Sequence, residues 1–216
     1  MARATVTGYC ERIGTGLWDE PLNAATNLAF IAAAALLLRA LAGKDRPARG
    51  DWAPWALIAL VVLIGIGSAL FHTRPARWTA AADVIPIGVF ILLATYLALK
   101  RLVRLGVLMS LLGVAAVLGL AVGITLLIRF GGGSYLAALV TLLAIGLFLR
   151  LRRGHPAGVV LLAAAGVFAV SLTLRTLDGP LCGAMPSGTH FLWHVLNAVV
   201  LYLVALTIMR FGRPAR

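Results

Sequence analysis

Long apolar runs separated by short polar or Gly/Pro-rich breaks dominate this chain. A bilayer hydrocarbon core about 30 Å thick takes about 20 apolar residues in a helix. Seven stretches meet that requirement: 22–42, 53–72, 80–99, 107–128, 134–150, 157–177 and 189–209, the fifth being the shortest. The breaks carry turn chemistry: Gly43–Gly50 with Pro47, Arg74-Pro75, Gly131-Gly132-Gly133, Gly154-His155-Pro156, and Gly179–Gly188 with two prolines. The pattern predicts an all-α integral membrane protein, one seven-helix bundle spanning 1–216, with residues 1–21 as a segment ahead of the first helix. Each stretch is apolar all round, so periodicity does not show which face turns inward. Polar residues inside the stretches do, because each is costly in lipid and usually faces the bundle.

Composition strengthens this reading. The 216 residues are 62% hydrophobic and 12% charged, against roughly 45–50% and about 25% in an ordinary globular domain. The net charge of +12 raises the question of nucleic acid. The basic residues, however, lie in short clusters between apolar stretches and form no basic face interleaved with aromatics, so no nucleic-acid partner is expected. Of the nineteen Lys and Arg residues, six fall in the N-terminal segment, after stretches two and four, and at the end of stretch six (Arg175). The other thirteen fall after stretches one, three and five and at the C-terminus. The positive-inside rule then puts the N-terminus outside and the C-terminus in the cytoplasm of a multi-pass cell-membrane protein. Residues 1–20 contain Glu11, Asp19 and Glu20 and no apolar core, and do not read as a signal peptide. Trp18, Trp52, Trp55 and Trp78 sit near predicted boundaries, as interfacial belt residues do.

This topology places Cys10 and Cys182 on the same non-cytoplasmic side, where a disulfide is stable. They are expected to pair, the alternative being two separate buried thiols. The same side collects three of the four histidines: His72 at the end of the second stretch, His190 and His194 at the start of the seventh. Asp83, near the start of the third stretch, lies at that depth too. His190 and His194 are i and i+4 and project from one helical face; Ser68 and His72 share that spacing. Imidazole nitrogen suits Zn²⁺, and three protein ligands leave a fourth position for water, whose proton a nearby carboxylate can take. The plainer alternative is a hydrogen-bonded polar cluster that only joins helices. His155, in the basic loop Arg150–Pro156, reads as a solvated loop residue.

Ser68-Ala-Leu-Phe-His72, then Asp83, then His190-Phe-Leu-Trp-His194 resembles the alkaline ceramidase family, part of a superfamily of seven-helix membrane hydrolases that includes the adiponectin and progestin receptors. Tyr9-Cys10-Glu11 and Glu20-Pro-Leu-Asn23-Ala-Ala-Thr26-Asn27 are similar to the opening of those enzymes. The likeness covers both ends and the second and third stretches and is faint from the fourth to the sixth. It implies that His72, His190 and His194 bind zinc, that Asp83 activates the zinc-bound water, and that Ser68 stabilises the oxyanion. Trp193 would line the substrate cavity. A calcium site would draw on Glu11 and Glu20, with Asp19 as a substitute ligand where Gly8 stands in place of an acidic one. The same likeness agrees with a Cys10–Cys182 disulfide.

The leading expectation is therefore a zinc-dependent amide hydrolase acting on ceramide-like N-acyl lipids and releasing a fatty acid and a long-chain base. A lipid-sensing, receptor-like member of the superfamily with little turnover is the second. A retinal protein is excluded, since the only lysines are Lys44 and Lys100 and neither lies in the last helix. Asn23 and Asn27 share a face and are expected to bond between helices. Tyr135 opens the fifth stretch at a belt position from which it could also reach a substrate carbonyl. Gly65 and Gly67 are expected to allow close helix packing, and Asp178 to shape a turn. Nothing calls for an obligate protein partner.

Overall fold

The computed structural model describes residues 8–14, 16–43, 50–128 and 133–212. Lys44, Arg46, Arg49, Arg129, Arg213, Arg216 and Arg3, which weigh in the charge count, lie outside them, as does most of the Gly131–Gly133 break. Seven helices are long and apolar enough to cross a membrane: α1 (Pro21–Ala42), α2 (Ala53–Thr73), α3 (Arg77–Leu102), α4 (Val107–Leu127), α5 (Ser134–Arg152), α6 (Ala157–Leu181) and α7 (His190–Phe211). No strand occurs among the described residues. The bundle is multi-pass by length and composition.

Most boundaries fall where the apolar runs end, and the exceptions have local causes. α3 starts at Arg77 rather than near residue 80, because the Thr79 hydroxyl accepts the Ala76 N–H at 2.8 Å and closes the first turn. Its far end continues to Leu102 in a wider π-helical turn, Ala98–Leu102, and α5 ends likewise in Phe148–Arg152. α6 runs past Asp178 and through Pro180 to Leu181, so the expected turn is helical. Pro180 gives up one intrahelical N–H bond there, and Cys182 just beyond is covalently held. α1 is interrupted at Asn27 between Pro21–Thr26 and Leu28–Ala42.

α7 is the most enclosed helix, packing against α1, α2, α3 and α6, while α4 touches only its neighbours and is the most open. Leu37, Leu57, Ile64, Leu97, Leu161 and Ile208 fill the interior. Leu63, Leu108, Leu126, Leu127 and Val159 stand exposed on the outside. Such a belt of apolar side chains is what lipid covers. Trp18, Trp52, Trp55 and Trp78 are exposed near helix ends, as belt residues should be. On the face away from the N-terminal segment, Arg101 grips the Asp51 carboxylate with both terminal nitrogens at 3.0 Å and reaches the Gly212 carbonyl at 3.3 Å. That clamp joins the start of α2 to the ends of α3 and α7.

The closest crossing is α2 on α3. A methyl group built on Gly67 would lie 2.0 Å from the Ala82 carbonyl oxygen and 3.2 Å from the Asp83 nitrogen. Gly67→Ala must therefore push these helices apart beside Ser68 and Asp83, at a cost of about 1–3 kcal/mol. Gly88→Ala, at a helical glycine with nothing within 4 Å, should be neutral or stabilising by up to about 1 kcal/mol. Thermal unfolding of both variants in detergent reads the contrast. Equal midpoints would contradict the close crossing.

Candidate metal centre

Alternating crossings bring the ends of α2 and α6 and the starts of α1, α3, α5 and α7 to the face carrying the N-terminal segment. Many of the buried polar side chains gather here: Arg12, Glu20, Asn23, Ser68, His72, Asp178, Thr189, His190 and His194. His72, His190 and His194 each offer one ring nitrogen within 4.8 Å of the others. Ring centroids are 4.7 Å apart for His72–His194 and His190–His194, and 5.3 Å for His72–His190. Among the described residues no other three His, Cys, Asp or Glu side chains are so gathered.

Two of the rings are held by hydrogen bonds and the third by stacking. His72 Nδ1 donates to the Glu20 carboxylate, which leaves Nε2 free, and that atom is buried with no hydrogen-bond partner. His194 Nδ1 lies 3.0 Å from the Thr26 hydroxyl, whose hydrogen goes to the Leu22 carbonyl at 2.7 Å. The ring must then donate, leaving a lone pair on Nε2. His190 stacks on Tyr9 at 3.8 Å between centroids, and its Nδ1 is also buried without a partner. Buried nitrogens left open are rare unless something binds them. Imidazoles fixed by a carboxylate or hydroxyl on one nitrogen and open on the other are how metal-binding histidines are arranged. The donor set fits zinc.

The start of α7 is set by a residue whose role the sequence did not disclose. Asp178 is buried, and its carboxylate accepts the N–H groups of Cys10 at 3.0 Å, Thr189 at 2.7 Å and His190 at 2.9 Å. It thus satisfies first-turn donors of α7 that have no partner within the helix and fixes the backbone from which His190 projects. The Cys10–Cys182 disulfide closes the same corner. Gly188 has φ +64°, and a Cβ there would lie 2.1 Å from Asp178 Oδ1, so the turn admits only glycine.

The acidic residues expected to hold calcium have partners within the chain. The Glu11 carboxylate caps α1, accepting the N–H groups of Leu22 at 2.7 Å and Asn23 at 2.9 Å. Asp19 accepts the Gly16 N–H at 2.6 Å. Glu20 is fully buried and shared between His72, the Asn23 amide at 3.0 Å and the guanidinium of Arg12. Arg12, itself fully buried, also donates to the Gly14 carbonyl at 3.2 Å and to the His72 carbonyl. The cation that balances Glu20 belongs to the chain. Burial works to raise the Glu20 pKa, but the bonds from His72, Arg12 and Asn23 outweigh it and hold the carboxyl below its usual range. Burial pushes Tyr9 up to about 12, so the ring stacked on His190 is a neutral phenol.

Ser68 and Asp83 line a polar cavity together with Tyr9, Tyr135, Arg175, His190, Trp193 and His194. Phe30, Ile64, Ile87 and Tyr135 also line an adjoining apolar cavity, walled by Phe90, Leu142, Phe168, Val204 and Ile208. Trp193 lines the polar cavity as expected. Tyr135 is not a belt residue: it is buried, 4.9 Å from the Trp193 ring, and lines both cavities. Asn23 and Asn27 bond within the N-terminal region of α1, to Glu20 at 3.0 Å and to the Asn23 carbonyl at 2.7 Å, not between helices. His155 caps α6 through the Ala157 N–H at 3.2 Å. No protein-family model matches the chain, and no curated protein does.

Proposed function

We propose that this protein is a zinc-dependent hydrolase that cleaves the amide of ceramide-like N-acyl lipids from within the membrane, releasing a fatty acid and a long-chain base. Its active site faces the non-cytoplasmic side, with the N-terminus outside and the C-terminus in the cytoplasm. One observation carries this reading: three buried imidazoles, two of them with unpartnered nitrogens, gather beside Ser68 and Asp83 next to an apolar cavity. A pure packing cluster would have no use for unpartnered nitrogens or for the empty space below them. The resemblance to alkaline ceramidases supports the substrate class.

His72, His190 and His194 would hold the zinc. Such an ion supplies Lewis acidity, polarising a carbonyl and bringing the pKa of a water towards about 7. The chain does the rest. The apolar cavity takes the acyl tail and so sets the amide at the level of Ser68 and Asp83. Ser68 donates to the carbonyl oxygen as charge develops there. Asp83 takes a proton from the attacking water as the C–O bond forms, then returns it to nitrogen as the C–N bond breaks. Glu20, Thr26 and Asp178 are positioning residues, acting through the three histidines.

The test is release of fatty acid from ceramide by purified protein, before and after treatment with a zinc chelator. Release that stops on chelation and returns with added zinc is the expected result. Release indifferent to the chelator, or none from any N-acyl lipid by the zinc-loaded protein, would overturn the proposal.

A further inference from the structure

Arg175 lies within membrane-spanning α6, six residues before its end at Leu181. A charge at such a position is costly and faces the bundle interior or a partner. It faces the interior, as part of the wall of the polar cavity. Its guanidinium carbon sits 5.1 Å from the Tyr135 ring centre and 5.4 Å from that of Trp193. No described carboxylate forms an ion pair with it. Asp83 shares the cavity but forms no ion pair with Arg175. Rings on Tyr135 and Trp193 restrain the guanidinium plane without using its N–H groups. A guanidinium so held presents a fork suited to two oxygens of a carboxylate or phosphate.

We infer that Arg175 is an anion-recognition residue, and that the preferred substrate is an N-acyl lipid with a carboxylate or phosphate close to the amide. The inference rests on the hydrolase reading for the amide and on the cavity alone for the anion. It gives α6 a purpose in the site: the histidines and Asp83 address the amide, and Arg175 reads what lies beyond the nitrogen.

Binding of N-oleoylglycine, N-oleoylethanolamine and oleate is measured in detergent for wild type, Arg175→Gln and Arg175→Lys, with zinc loaded and with zinc stripped. Hydrolysis of the two amides is followed in parallel. Wild type should bind N-oleoylglycine about tenfold more tightly than the neutral amide, the increment of one charge-assisted hydrogen bond. Arg175→Gln should bring that ratio to within about twofold, and Arg175→Lys should keep part of it. No anionic preference in wild type would overturn the inference. So would a substitution that weakens both amides equally, which is loss of packing against Tyr135 and Trp193, or a dependence on Arg175 for oleate alone, which marks a product site. A preference lost in Arg175→Gln without hydrolysis by any form would sustain the anion site and remove the hydrolase reading.

Discussion

Glu20→Gln is expected to be among the most damaging single substitutions on the N-terminal face. The carboxylate joins two buried groups, the Arg12 guanidinium and His72 Nδ1. Removing its charge leaves a fully buried arginine uncompensated, which costs about 3–5 kcal/mol. It also takes away the acceptor that fixes the His72 tautomer, a change that typically lowers metal affinity about 10–100-fold. Thermal unfolding in detergent and zinc titration read the two losses separately. The double variant Arg12→Met with Glu20→Gln should recover much of the stability, since the orphaned charge is gone, but not the zinc affinity. The result also separates this arrangement from a calcium site. If Arg12 is the counter-cation, a calcium-selective chelator leaves the wild-type midpoint in place; if calcium held Glu20, it would reproduce the substitution.

Asp83→Asn should cost catalysis and little else. Asparagine keeps the shape while losing the ability to take a proton. Loss of general acid–base action is worth about 10²–10⁴ in rate. The loss should fall on kcat, with KM for ceramide, zinc content and melting temperature close to wild type. A variant as fast as wild type would remove Asp83 from the mechanism. One that loses zinc as well would make it a structural support of the metal centre.

The seven crossings were legible because bilayer thickness demands a length of apolar chain that needs no tertiary information. The histidine cluster was legible for a related reason. Spacing put His190 and His194 on one face, and an even number of crossings between them and His72 returned all three to one depth. Cys10 and Cys182 followed from the same parity. What could not be read was which groups stand behind the ligands. Arg12 looked like one more loop arginine, since nothing local shows that Glu20 and two carbonyls converge on it. Asp178 beside Gly179-Pro180 reads as a turn residue because its N–H partners lie outside its own helix, at Cys10, Thr189 and His190. Arg175 is different: a charge inside an apolar stretch was visible from the start and was spent on the topology count. Tyr135 at a helix start fits the belt as well as the cavity, and only the packing against Trp193 decides.

Elemental analysis of purified protein tests the central claim most directly. Wild type should carry one zinc per chain, and His190→Ala and His194→Ala should each lose it while remaining helical. A wild-type protein that folds and hydrolyses lipid without stoichiometric metal, or that keeps its zinc when either histidine is removed, would contradict the account.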